Sequence, residues 1–203
     1  MKIDLPTKTI QRLTLYHSIL RDYIFKEVPS ISSQQIASLL KIDDSQVRKD
    51  ITFCHVQGKT KIGYDVAELK KAIEKLLGFE KSKDVFIVGA GNLGLALAKH
   101  DDFKDYGLDI LALFDVDDDK VAQVINGKKI FHISKLNNLV NRMNVEIAIL
   151  TVPHQVAQSV ANQLVKSKIK YIWNFTPVVL DLPDNIKVCN ENLVGNFLNF
   201  TKN

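Results

Sequence analysis

VFIVGAGNLG, residues 85–94, is an apolar run that feeds straight into a glycine-rich turn. Val85–Val88 has the unbroken hydrophobicity of a strand buried on both faces of a parallel sheet. In the turn, Gly89 permits the tight exit from the strand, Gly91 leaves the backbone bare for a pyrophosphate, and Gly94 lets the next helix pack closely on the sheet. That helix, about Asn92–Lys99, aims its free N–H groups and positive dipole end at the phosphates. A second apolar run, Leu108–Phe114, ends on Asp115, twenty-one residues beyond Gly94. A carboxylate there is placed to accept hydrogen bonds from a ribose diol and to repel a 2′-phosphate, which favours NAD(H) over NADP(H). Strand, glycine turn, helix and distal acid together predict a Rossmann dinucleotide-binding unit.

The chain is 203 residues long, enough for two small domains, and 46% of it is hydrophobic, enough for real cores. No apolar stretch reaches the length of a membrane span, and MKIDLPTKT at the start lacks the pattern of a signal peptide. The two cysteines, Cys54 and Cys189, have no metal-ligand spacing, so no metal site is expected. These features point to the cytoplasm. Charge is uneven. Residues 1–83 hold 15 Lys+Arg against 10 Asp+Glu, and residues 84–203 hold 12 against 13. A basic head on a near-neutral body suggests a polyanionic partner for the head.

The head reads as helical. Pro6-Thr7 opens a helix to about Lys26, with Ile10, Leu13, Tyr16, Ile19, Leu20, Tyr23 and Ile24 at helical spacing. Ser32-Ser33 caps a second helix, Gln34–Leu40. After the turn Lys41–Asp43, a third helix starts at Asp44 or Ser45 and runs to about His55. Two short helices across a tight turn predict helix-turn-helix, with the third helix as the recognition helix. Its early exposed positions are Ser45, Gln46, Arg48 and Lys49. Gln46 and Arg48 suit base edges in the major groove and Lys49 suits phosphate. Cys54 falls on the core side of this helix and is expected to pack as a small apolar residue. Residues 56–64 then predict a hairpin around Gly58-Lys59-Thr60-Lys61, a wing with two lysines that would lie along the DNA backbone or minor groove. A fourth helix, Asp65–Leu77, ends at Gly78, which sets the domain boundary near residue 80: a winged-helix domain over 1–80 and a Rossmann domain over 81–203.

Past Asp115 the alternation continues. A short helix is expected at Val121–Ile125, a strand at Lys128–Phe131, a helix at Leu136–Val140 and a strand at Val145–Thr151. A helix at Val156–Val165 and a strand at Ile169–Trp173 follow. Lys187–Asn190 is extended and Glu191–Phe200 is a terminal helix. Ligands of such sheets sit beyond the carboxyl ends of the strands, so Thr151-Val152-Pro153-His154 and Asn174-Phe175-Thr176-Pro177 are the expected nicotinamide-side loops. His154 is the one acid–base candidate there, and its place near a helix start suits an ordinary solvent-facing residue. With no segment left over for a substrate domain, no catalytic residue is expected.

Several motifs now stand in one order along nearly the whole chain. They are Arg12-Leu13 with Leu15-Tyr16, the Ser32-Ser33 cap, Val47-Arg48-Lys49-Asp50, Gly63-Tyr64-Asp65-Val66 and Gly89-Ala90-Gly91-Asn92-Leu93-Gly94. Phe114-Asp115-Val116-Asp117, Val152-Pro153 and Trp173-Asn174-Phe175 with Pro177 complete the set. In this the chain resembles the bacterial redox-sensing repressor family Rex. The resemblance implies a homodimer whose winged-helix heads bind inverted-repeat double-stranded operator DNA and whose terminal helix swaps between subunits. It implies that NADH releases DNA while NAD+ permits binding. It adds Arg12 to the DNA-contacting residues and puts Asn92, Leu93, Val116 and Asp117 beside the cofactor. Three positions depart from the family pattern. His100 stands where the family has a tyrosine near the nicotinamide, Ser18 where it has an arginine, and Asn192 where it has an aspartate. A relative with a weakened NADH response and a small NAD-dependent oxidoreductase are the two other readings.

Overall fold

The computed structural model describes residues 5–201. The chain divides between Lys81 and Ser82 into two compact units.

The first unit is built on four helices: α1 (Thr7–Phe25), α2 (Ser33–Leu40), α3 (Asp44–Thr52) and α4 (Val66–Leu77). Three of them begin at side-chain caps. Ser32 Oγ accepts from Gln35 N–H at 3.1 Å while Gln35 Oε1 accepts from Ser32 N–H, a reciprocal box. Asp43 and Asp65 cap α3 and α4. Leu13, Tyr16 and Leu20 of α1 are fully buried against Ile36, Val47, Ile51, Val66, Leu69 and Ile73. Ile10 and Ile24, expected in the same apolar stripe, are exposed; the buried face of α1 is made by Thr9, Leu13, Tyr16, His17 and Leu20.

The wing departs from the expected hairpin. Residues 56–58 form no ladder, and one bridge, Lys59 with Gly63, closes a tight loop. The two N–H···O bonds between Lys59 and Gly63 measure 2.7 and 2.9 Å. The next two residues, β2 (Tyr64–Asp65), pair antiparallel with β1 (Ser30–Ile31) instead. Gly63 makes this switch possible. Its φ is +95°, and a Cβ there would lie 2.4 Å from the Ile31 carbonyl oxygen. The recognition helix is also shorter than expected: it ends at Thr52, and His55 takes φ 55°.

The second unit is a seven-stranded sheet in the order β5-β6-β4-β3-β7-β8-β9. The strands are β3 (Lys83–Val88), β4 (Leu108–Asp115), β5 (Val124–Ile125), β6 (Lys128–His132), β7 (Ile147–Leu150), β8 (Tyr171–Asn174) and β9 (Lys187–Asn190). All pairings are parallel except the edge hairpin β5–β6. That hairpin replaces the helix expected at Val121–Ile125. Asn126 (φ 48°) and Gly127 (φ 75°) form the two-residue turn whose twist matches paired strands, a short-range signal that outweighs the apolar spacing. Chain order reverses about β3, as in a doubly wound nucleotide-binding sheet.

Both faces of the sheet are covered. Val85 and Ile87 pack with Ala98 of α5 (Asn92–Lys99) on one side. Phe86 and Val88 pack with residues of α6 (Leu136–Met143) and α7 (His154–Lys166) on the other. This is the physical content of the unbroken apolar run at 85–88. The terminal helix α8 (Leu193–Thr201) starts at Asn192, whose Oδ1 accepts from Gly195 N–H at 2.8 Å.

Candidate functional site

The glycine turn sits at the carboxyl end of β3, beside β7. Its glycines divide into two kinds. A Cβ on Gly89, whose φ is +107°, would fall 2.6 Å from the Thr151 carbonyl oxygen, and one on Gly94 would fall 2.0 Å from that of Gly89. These two let backbone touch backbone. Gly91 has no heavy atom within 4 Å of where a Cβ would stand, and it lines a cleft. Thr151 Oγ1 donates to the Gly89 carbonyl at 2.8 Å and fastens the turn to β7.

The cleft has a volume of about 790 Å³. Of the cofactor residues expected from sequence, Gly89, Gly91, Asp115, Val116, Asp117, Thr151, Val152 and Pro153 line it. Ala90 is buried behind it and donates its N–H to Asp115 Oδ2 at 2.7 Å. The other oxygen of Asp115 accepts from Asp117 N–H at 3.0 Å. Each carboxylate oxygen has two lone pairs, so both keep one for a hydroxyl. The arrangement can hold a diol while the open face of Gly91 admits a phosphate at the start of α5, which fits the dinucleotide the fingerprint implies.

Asn92, Leu93 and Gly94 form the first turn of α5 rather than the cleft wall. Asn174 is fully buried. Its Nδ2 donates to the Val178 carbonyl and to Asn190 Oδ1, and its Oδ1 accepts from the N–H and Oγ1 of Thr176. It thus organises the loop after β8. Phe175 and His100 lie outside the cleft lining, at two ends of an aromatic row. His100 packs on Phe103 (centroids 5.1 Å apart), Phe103 on Trp173 (6.1 Å) and Trp173 on Phe175 (5.0 Å). Trp173 Nε1–H also donates to Glu191 Oε1 at 2.7 Å, just ahead of α8.

Beyond the strand ends Val88 and Phe114, the cleft wall also holds Lys120, Ile133, Val156, Ser159 and Val160, which were not expected from the sequence. Val156 and Val160 are four apart on α7, a spacing that marks a shared face without saying what it faces.

In the first unit, Ser32, Ser33, Arg48, Lys59, Thr60 and Lys61 surround one groove of about 740 Å³, with Ile62 and Tyr64 beside them. The wing loop thus brings two lysines next to the exposed Arg48 side chain, which also reaches Asp44 on its own helix. Ser45 and Lys49 are exposed on α3 outside the groove lining.

Arg12 and Gln46 have a different environment from the one expected. Arg12 Nε and Nη2 donate to the two oxygens of Asp50 at 2.6 and 2.8 Å, and Gln46 Nε2 donates to Asp50 Oδ1 at 3.0 Å. The Tyr16 hydroxyl adds a bond to Asp50 Oδ2 at 2.8 Å. Gln46, expected to be exposed, is half-buried by this network. Burial pushes the Asp50 carboxyl up, but Arg12, Tyr16 and Gln46 hold it below the ordinary carboxylate range. Burial and the Asp50 charge push the Tyr16 hydroxyl up. Together these bonds lock α3 to α1. Cys54 packs in the same core, as expected, and burial raises its thiol to about 11.

His154 opens α7 as an exposed residue. Among the described residues no group of His, Cys, Asp and Glu could hold a metal ion, and no helix is long and apolar enough to cross a membrane.

Comparison with known proteins covers both units. Residues 80–178 match the family described as "CoA binding domain", and residues 4–52 match "Putative DNA-binding protein N-terminus". The chain is 41% identical to the redox-sensing transcriptional repressor Rex of Treponema denticola, over 93% of this chain and 90% of that one. It is 38% identical to Rex of Porphyromonas gingivalis, over 93% and 86% of the two chains. Among solved structures, it is similar to RSP, a Rex-family repressor, in complex with β-NAD+ and operator DNA. That match has a TM-score of 0.86 and 30% identity, and covers 98% of this chain and 92% of the other. RSP in complex with β-NADH gives a TM-score of 0.84 at the same identity, covering 98% and 94%. With such identity along nearly its whole length, this chain belongs to the Rex family of redox-sensing transcriptional repressors.

Proposed function

We propose that this protein is a transcriptional repressor governed by the balance of NADH and NAD+. It holds operator DNA when NADH is low and releases it when NADH binds. It is a regulator and not an enzyme. The observation that carries the reading is the cleft in which the bare face of Gly91 and the half-free carboxylate of Asp115 stand together. We assign residues 81–203 to NAD(H) binding, with Gly91 at the pyrophosphate and Asp115 at the ribose. Thr151–Pro153 form the wall toward the nicotinamide. We assign residues 1–80 to DNA binding through Arg48, Lys59, Thr60 and Lys61. Arg12 and Gln46 contribute by holding α3 in place through Asp50.

The active form is a homodimer on an inverted-repeat operator, acting in the cytoplasm. The exposed apolar side chains Val194, Phe197 and Leu198 of α8 support a subunit contact there. RSP, which this chain resembles over 98% of its length, is described in complex with β-NADH and with β-NAD+ and operator DNA.

Fluorescence anisotropy on a labelled inverted-repeat duplex tests the proposal, with NADH titrated against a background of NAD+. Release by NADH alone is the expected result. DNA binding indifferent to NADH would favour the second reading, a repressor with a weakened switch. The position of His100 outside the cleft is the observation behind that alternative.

A further inference from the structure

Asp115 is the acid that discriminates against a 2′-phosphate in this kind of cleft. In this chain it does not act alone. Lys120 also lines the cleft, with Nζ 3.2 Å from Asp117 Oδ2 and 3.7 Å from Asp115 Oδ2. A lysine beside the ribose acid is a phosphate ligand in waiting, because an ammonium is a mobile point charge on a flexible stem. What it would do to cofactor choice depends on what holds it.

The loop after β4 engages it. Lys120 N–H donates to the Asp117 carbonyl at 3.1 Å, so the backbone turns and returns the side chain toward its own anchor. Asp117 is fixed in turn, since its Oδ1 accepts from Asp119 N–H at 3.0 Å and its Oδ2 is left for the ammonium. Three bonds thus make a closed unit of Asp117, Asp119 and Lys120. Asp118 and Asp119 lie exposed in the same turn, so the surroundings add further negative charge.

We infer that Asp117 is a specificity-determining residue of the cleft, which excludes NADP(H) by engaging Lys120 and so denying that ammonium to a 2′-phosphate. The carboxylate of Asp115 repels the phosphate directly, and the carboxylate of Asp117 engages the cation that, among the described residues, lines the cleft and could receive it. The arrangement accounts for a lysine in a site that rejects a phosphate. The inference rests on the cleft being the NAD(H) site.

The test is a double-mutant cycle on the full-length protein. Dissociation constants for NADH and for NADPH are measured by isothermal titration calorimetry on wild type, Asp117→Asn, Lys120→Met and the double variant. The readout is the ratio of the two constants, and the Lys120→Met background separates loss of the Lys120 contact from any other change in the cleft. In the wild type NADH is preferred. Asp117→Asn is expected to reduce that preference about tenfold by freeing Lys120. In the Lys120→Met background the same change is expected to shift the ratio no more than about twofold, since only the general loss of negative charge remains. An equal effect of Asp117→Asn in both backgrounds would overturn the inference, because Lys120 would then play no part. An unchanged ratio in Asp117→Asn alone would overturn it as well. Failure of the wild type to bind NADH would instead remove the reading of the cleft itself, a result distinct from either.

Discussion

Replacing Asp50 by alanine strikes the point where the recognition helix is fastened to α1. Asp50 is 1% exposed and accepts from Arg12 twice, from Tyr16, from Gln46 and, at 3.3 Å, from Thr9. Removing one partner of a buried ion pair costs roughly 3–5 kcal/mol, most of it from the charge left behind. Here the Arg12 side chain is 22% exposed and can turn to water, so the lower end applies. The Tyr16 hydroxyl has no such exit, because Tyr16 is fully buried. A stranded hydroxyl by itself costs roughly 1–3 kcal/mol. Asp50→Ala should therefore destabilise the first unit by about 3 kcal/mol. Asp50→Asn, which keeps the shape and one acceptor, should cost about 2 kcal/mol.

Urea denaturation followed by far-ultraviolet circular dichroism reads the helices of both units, while emission from Trp173, the single tryptophan of the chain, reads the second alone. The dichroism midpoint should fall more than the emission midpoint. The linkage has a definite sign. The folded pKa of Asp50 lies below the ordinary 3.8, so its contribution is present above that pH and is lost as pH falls through the folded value. A change under about 0.5 kcal/mol, the level of an ordinary surface substitution, would refute the argument that Asp50 fastens α3.

Three further outcomes are expected. Gly91→Ala should melt with the wild type yet lose NADH binding, whereas Gly94→Ala should lower the melting temperature because its Cβ meets the Gly89 carbonyl oxygen at 2.0 Å; differential scanning calorimetry with and without NADH separates them, and equal melting of the two would sink the division of the glycines. Arg48→Ala should weaken operator binding by about 1–3 kcal/mol without loss of stability if Arg48 reads a base, and an unchanged anisotropy titration would remove it from the interface. His17, fully buried beside Glu74, has its pKa lowered from 6.5, chiefly by desolvation. The first unit should therefore lose stability as pH falls below about 6.5, where the unfolded chain takes up a proton that the folded one resists. His17→Gln should flatten that part of the pH–stability curve.

The sequence by itself determined the Rossmann unit, because its signals are local. An unbroken apolar run, a turn that only glycine fits and an acid at the end of the next strand each act over a few residues, and the structure brings Gly89, Gly91 and Asp115 to one cleft. The helix caps at Ser32 and Asp65 were legible for the same reason. Only the tertiary structure decided the environment of Arg12. It carries the chemistry of a DNA contact, yet a buried carboxylate thirty-eight residues away draws it inward. The wing went the same way. Its residues suit a hairpin, but Gly63 hands β2 to the Ser30–Ile31 strand, a partner far away in the chain. Asn174, a polar residue in a predicted cofactor loop, is likewise committed to Asn190 and Thr176. Patterns of hydrophobicity and turn chemistry report what a segment prefers. Which partner satisfies a polar side chain depends on which segments the fold brings within about 3 Å, and that is set by the packing of the whole unit.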